Sequence, residues 1–156
     1  MIITQNQVER YRADAIALSS AERWEEARES FVKASLCAEA KDLKSIANDI
    51  AICSLNLGLE QEMRGQFQGA LESYAEALSN NPDYAKACYA RSRLLIRTRS
   101  YVSLQDWPAR LSEAMALLKK AAIILPTYRM MALNDLEFVP VRHEPEFALA
   151  LRMLVA

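Results

Sequence analysis

The chain carries one histidine, His143, set between Arg142 and the Glu144-Pro145 step. A general base of this kind works only against a positioned nucleophile or acid, and no Cys or Ser stands near it on a turn of the nucleophile-elbow type. It is expected to be a solvated loop residue. Glu25, Glu26 and Glu29 fall on one helical stretch, a spacing that paired acid–base carboxylates can use. Nothing in the sequence desolvates or opposes them, so a solvated face is expected. Gly58, Gly65 and Gly69 stand alone, which leaves no Gly-rich loop to cradle phosphate. Cys37, Cys53 and Cys88 have no CxxC spacing, and with a single histidine they do not make a zinc site. Beside Ala and Leu they read as small core residues in a reducing compartment. No catalytic, cofactor-binding or metal-binding residue is expected, and the chain reads as a non-enzyme.

The elements that carry these residues are helical by composition. Of 156 residues, 3 are Gly and 5 are Pro, well under half the usual share of about 12%. A β-sandwich or a doubly wound α/β fold needs more turn residues than that. Charged residues make up 25% and hydrophobic ones 52%, so disorder and a coiled-coil rod are excluded. No apolar run approaches the roughly 18 residues of a membrane span. The formal net charge of −1 gives no global pull toward nucleic acid or a membrane surface. Met1-Ile2-Ile3-Thr4-Gln5 has no basic start and no long apolar stretch, so no signal peptide is expected and the cytoplasm is the expected compartment.

Three segments superpose. Phe67, Ala70, Tyr74, Ala77 and Pro82 align with Leu111, Ala114, Leu118, Ala121 and Pro126, and with Trp24, Ala27, Phe31 and Ala34, where Glu39 takes the Pro position. Spacings of three and four lie on one helix face. Alternating Ala with a large residue lets a neighbouring helix approach at Ala while the large side chain fills the gap beside it. Each segment follows another helical stretch. The expected pairs are 5–19 with 23–38, 42–64 with 67–80, and 84–98 with 109–125, followed by helices near 127–134 and 146–154. Gly65 suits a left-handed turn, and Asn81-Pro82-Asp83 and Leu125-Pro126-Thr127 are breaks.

This pattern resembles the tetratricopeptide repeat (TPR), a helix-turn-helix unit of about 34 residues. Leu57, Gly58, Ala70, Tyr74 and Pro82 stand at family positions in the middle repeat, which departs from the pattern at Ser54 and Gln61. The third repeat keeps Ala114, Leu118 and Pro126, and has Cys88, Arg91 and Ser92 at the Trp, Leu and Gly positions; the first keeps Tyr11, Ala27 and Phe31. The period is stretched, with Ala27 and Ala70 separated by 43 residues and Ala70 and Ala114 by 44. Residues 39–50 are expected to lengthen the first helix of the middle repeat, and 99–108, with Trp107 and Pro108, to form a loop. The segment from Asp135 through Arg142 to Phe147 is similar to the end segment of many bacterial repeat arrays. A stack of pairs needs such a cap over its last apolar face, and Phe138, Val141, Phe147, Leu151 and Leu154 are expected to cover it. The resemblance implies a bacterial, all-α chain. Its 156 residues form a single domain, a right-handed superhelical stack of repeats at about 5–38, 42–84 and 85–128 with a cap at 129–156.

The resemblance also implies a function, protein–protein interaction by an adaptor or scaffold that binds a partner peptide in the concave groove. Family positions carried onto this chain give Glu9, Arg12, Ile16 and Ser19; Ile52, Leu55, Asn56, Leu59 and Met63; and Lys86, Tyr89, Arg93, Ile96 and Arg97. Of these, Arg12, Ile52, Leu55, Asn56, Leu59, Met63, Lys86, Tyr89, Arg93 and Arg97 are the expected peptide-binding set. Residues 22–83 hold twelve acids against six bases, whereas 84–110 hold six bases against one acid. The expected ligand is therefore an acidic or C-terminal segment docking near Lys86, Arg93 and Arg97. A chaperone-tail clamp is matched only at Asn56 and Lys86, with Arg12 for a Lys, Ile16 for an Asn and Ala90 for an Arg. The alternative is self-assembly into homo-oligomers through an end face or the Trp107 loop.

Overall fold

A computed structural model of the chain describes residues 2–152, and among these every regular element is a helix. The chain divides into two compact units, Met1–Pro82 and Asp83–Ala156. The division falls at the Asn81-Pro82-Asp83 break.

The first unit holds α1 (Ile2–Ser20), α2 (Trp24–Cys37), α3 (Ala40–Met63) and α4 (Phe67–Asn80). Consecutive helices pack on one another, α1 on α2, α2 on α3 and α3 on α4. The stripes Ala27, Phe31, Ala34 on α2 and Ala70, Tyr74, Ala77 on α4 are buried. Val8, Ala15, Ile46, Ile50 and Cys53 close the core around α2. Residues 40–50 are helical and make α3 a single 24-residue helix, as the surplus over a plain repeat requires.

The two departures from the repeat pattern on α3 have a common physical form. Ser54 Oγ donates to Glu76 Oε2 on α4 at 3.1 Å, and Arg28 Nη1 of α2 reaches the same oxygen at 2.7 Å. Gln61 Oε1 accepts from Ser73 Oγ of α4 at 2.7 Å. Where the pattern places aromatic rings, this chain joins its helices with part-buried hydrogen bonds.

Tight turns follow α1 and α3. Gly65 has φ 74° and Glu22 has φ 57°, the one non-glycine residue on that side among the described residues. Each is followed by an N–H that reaches back five residues, Gln66 N to Gln61 O at 2.8 Å and Arg23 N to Leu18 O at 3.0 Å. Both are therefore left-handed helix ends, and only one has the residue without a Cβ penalty. Glu22→Gly is expected to stabilise the first unit by about 0.5–1 kcal/mol, read as a raised urea midpoint at unchanged m-value.

The second unit holds α5 (Ala85–Arg97), a 3₁₀ turn at Arg99–Tyr101, α6 (Trp107–Ile124), α7 (Thr127–Asn134), a 3₁₀ segment at Leu136–Val141 and α8 (Pro145–Leu151). α5 packs on α6, the 3₁₀ segment on α5, and α7 and α8 on α6. The sequence places Trp107 in a loop. It is instead the first residue of α6 and buried, with the Arg99 guanidinium 4.8 Å over its ring. Pro108 follows it in the first turn of α6, where a missing N–H costs nothing.

The C-terminal segment encloses an aromatic chain. Tyr128 stacks on Tyr89 with centroids 4.7 Å apart, Tyr89 meets Phe138 at 5.8 Å, and Phe138 meets Phe147 at 5.8 Å. Val141 and Leu151 are also buried; Leu154, expected on this face, lies outside the described residues, and α8 is described to Leu151. Asp135 ties the segment down. It accepts from Tyr89 Oη at 2.8 Å and from its own turn at Glu137 N at 3.0 Å, while Arg142 Nη2 donates to its carbonyl at 3.1 Å.

Burial and the Asp135 carboxylate push the Tyr89 phenol well above its ordinary value, and burial also raises Tyr84 and Tyr128. A raised acid pKa favours the protonated form in the folded state. Its contribution is intact below about pH 10, the unfolded value, and is lost as pH rises above it. Unfolding of the second unit in alkali is therefore expected to release these phenolic protons together. Tyr89→Phe is expected to flatten the stability loss above pH 10, read by denaturation midpoints at pH 8, 10 and 11.

Candidate functional site

The first unit presents a cleft of about 360 Å³ between α1, α2 and α3. Ile16, Ser19 and Ser20 line it from α1 and its end, Trp24 and Phe31 from α2, and Asp49, Ile52 and Cys53 from α3. Three of these, Ile16, Ser19 and Ile52, are among the residues that the sequence reading expects to line a groove. Residues 49, 52 and 53 follow a three-and-four spacing, so α3 turns one stripe toward this side. Ile16 and Ile52 stand exposed, and the floor is made by Phe31 and Cys53, both buried.

Polar groups sit on one side of the cleft. Arg12 Nη2 lies 3.4 Å from Asp49 Oδ2 and 3.2 Å from Ser45 Oγ. Burial pushes the Asp49 carboxyl up, against the opposing pull of Arg12. A second carboxylate brought here would meet an acid that is already partly desolvated. The cleft is thus fit for an uncharged, apolar side chain. Cys53 Sγ lies 3.6 Å from Ser19 Oγ, and burial raises its thiol. A thiol held protonated and buried is a poor nucleophile. Burial raises Cys88 in the same direction.

The second unit presents a basic stripe. Residues 84–110 hold six bases, and several of them make contacts within the second unit. Arg91 Nη2 pairs with Glu113 at 2.7 Å, and Arg99 covers Trp107. Arg110 Nε donates to the Leu95 carbonyl at 3.2 Å, and its Nη2 donates to Thr98 Oγ1. Arg110 thereby caps the C-terminal turn of α5, where a cation suits the helix dipole; burial lowers its pKa. Lys86, Arg93 and Arg97 form the stripe. At about 100° per residue they fall within about 40° of one line along α5. Lys86 and Arg97 are exposed and Arg93 is half-buried. Arg97 Nε stands 3.6 Å from Glu137 Oε1.

The expected peptide-binding residues are therefore placed unevenly. Ile52 and Met63 are 45% and 83% exposed, and Leu59 is half-buried. Leu55 is 0% exposed and Tyr89 is 6% exposed. Both leave the expected set, because α3 is covered on more than one side and the Tyr89 ring is enclosed by Tyr128 and Phe138. Ile96 is buried too. Asn56 Nδ2 donates to the Ile52 carbonyl one turn back at 3.0 Å, Arg12 is engaged at Asp49, and Ala90 is buried. His143 stands exposed, 3.5 Å from Glu144, and Glu25, Glu26 and Glu29 are exposed on α2.

Ser20, Trp24, Phe31, Asp49 and Cys53 also line the cleft, and the sequence reading does not place them there. For Asp49 the signal was available, since it lies three residues before Ile52 on the same stripe. For Trp24 and Phe31 it was not, because the repeated aromatic positions read equally well as pure packing. Among the described residues no group of three or more His, Cys, Asp or Glu is placed to hold a metal ion, and no helix is long and apolar enough to cross a membrane. No family model matches the chain, and no curated protein matches it.

Proposed function

We propose that this chain is a non-enzymatic adaptor of the tetratricopeptide type, a right-handed stack of three helix pairs with a helical cap, that binds an extended or helical segment of a partner protein. The observation that carries the reading is the first-unit cleft, in which groove positions Ile16, Ser19 and Ile52 meet over an apolar floor. The partner segment contributes an aliphatic or aromatic anchor to this cleft. Acidic residues of the partner meet Lys86, Arg93 and Arg97, a pattern in which apolar burial supplies affinity and charge supplies selectivity. The ladder of Ala and large residues, Gly58 against Tyr74 and the Asp135–Arg142 cap support the repeat assignment.

The test is affinity capture from cell lysate with the wild-type chain, Ile52→Arg, and Lys86→Glu/Arg97→Glu. Arg12 is unsuited to charge reversal, because it is bound to Asp49. A partner retained by wild type and lost by both variants supports the adaptor. Self-assembly is the second reading, favoured by exposed Ile123, Ile124, Met130 and Met131 in the second unit. Capture of the chain's own copies alone, equal in all three baits, favours it and removes the adaptor reading.

A further inference from the structure

The second unit contains another cleft, of about 420 Å³, that lies between α7 and α8. Phe147 and Leu151, four residues apart on α8 and both buried, form its floor. Leu133 of α7 forms a wall. Arg129, one turn before Leu133, lines the cleft with Arg142 and Arg152, and no carboxylate is among its lining residues. Among the described residues none of these three arginines is in an ion pair; Arg142 Nη2 holds the Asp135 carbonyl at 3.1 Å.

The geometry points to a binding site for a small amphiphilic anion, specifically an aliphatic carboxylate of medium chain length. Three arginine side chains line one cavity, Arg129 half-buried and Arg142 and Arg152 exposed, and an anion bound beside them is attracted by all three. A guanidinium offers a planar pair of donors that matches the two oxygens of a carboxylate. The apolar lining selects the rest of the ligand. Inorganic phosphate satisfies the arginines and leaves the exposed Leu133 wall uncovered, whereas a neutral alcohol covers that wall and leaves the charges unanswered. The volume lies within the range of small-molecule sites, about 300–1,000 Å³. This site is built wholly from the second unit's capping segment and shares no residue with the proposed peptide surfaces, so it stands or falls independently of the adaptor reading.

The test is an amide-resolved NMR titration of the full chain with sodium octanoate, sodium acetate, 1-octanol and inorganic phosphate. Octanoate is expected to shift α7 and α8 amides with a Kd on the order of 1 mM, from a ligand efficiency typical of about ten heavy atoms. Acetate, octanol and phosphate are each expected to bind at least about tenfold more weakly. Arg129→Gln/Arg152→Gln is expected to weaken octanoate about tenfold with an unchanged circular dichroism spectrum. Arg142 is left intact because it supports the Asp135 turn. The proposal is overturned if octanol binds as well as octanoate, if the double variant binds octanoate like wild type, or if octanoate at about 10 mM leaves α7 and α8 unshifted. A change in sedimentation with protein concentration that the double variant abolishes and octanoate leaves unaltered also overturns it, in favour of a second copy as the occupant.

Discussion

Phe138→Ala is expected to destabilise the second unit by about 3–5 kcal/mol, the cost of removing a fully buried aromatic ring and leaving the space behind it. Phe138 is 0% exposed and touches both Tyr89 and Phe147. The surrounding groups cannot collapse into the gap freely, because Tyr89 is pinned at Asp135 and the Asp135 carbonyl is held by Arg142. The loss should spread through the cap. With the ring gone, α5 loses the surface that the 3₁₀ segment covers and α6 loses part of its contact with α8. Urea denaturation gives the size of the effect, and hydrogen exchange gives its place: faster exchange should appear in α5, α6 and α8. A change below about 1 kcal/mol would mean that the cap contributes little to stability.

Gly58→Ala is expected to destabilise the first unit by about 1–3 kcal/mol, as overpacking does, although Ala is the better helix former by about 1 kcal/mol. The sign is decided by space. A Cβ at position 58 meets Tyr74 Cε1 at 2.5 Å and Cδ1 at 2.7 Å. The ring cannot swing away, since Tyr74 is 0% exposed and its hydroxyl donates to the buried Glu62 carboxylate at 2.7 Å. In a Tyr74→Leu background the obstructing ring atoms are gone. There Gly58→Ala should turn neutral or stabilising, with the helix propensity left as the main effect. The double-mutant cycle measures the coupling directly, at about 1–3 kcal/mol. Additive effects of the two changes would show that the close approach of α3 and α4 is not set by this pair.

The helices were legible in the sequence because their signals are local. Ala at three-and-four spacing with a large residue marked the buried stripes of α2, α4 and α6, Gly65 marked a left-handed turn, and Pro82 and Pro126 marked breaks. Tertiary facts were less legible. The register of Leu55 suggests a groove residue, but α3 also buries Ile46, Ile50, Ala51, Cys53, Ser54, Leu57 and Gly58. A helix covered over so much of its circumference gives no single apolar stripe from which exposure can be told. Tyr89 was misplaced for a related reason: the tail that encloses it begins almost forty residues later in sequence. Ser54 and Gln61 read as departures from a pattern, and only their partners Glu76 and Ser73 show that hydrogen bonds replace aromatic packing there. The basic stretch 84–110 read as one cluster. The fold spreads it out: Arg91 pairs with Glu113, Arg99 covers Trp107, Arg110 caps α5, and Lys86, Arg93 and Arg97 follow one line along α5, with Arg97 near Glu137.

The most direct test of a peptide-binding adaptor is a selection of random peptides displayed on phage against the wild-type chain, followed by titration of the selected peptides into a Trp107→Phe variant. That variant leaves Trp24, which lines the first-unit cleft, as the single indole. The expected peptides combine an aliphatic or aromatic residue with a run of Asp or Glu. Also expected is a saturable change in Trp24 fluorescence that Ile52→Arg abolishes and added salt weakens. Peptides without acidic enrichment, or binding that leaves Trp24 unchanged and survives Ile52→Arg, would contradict it.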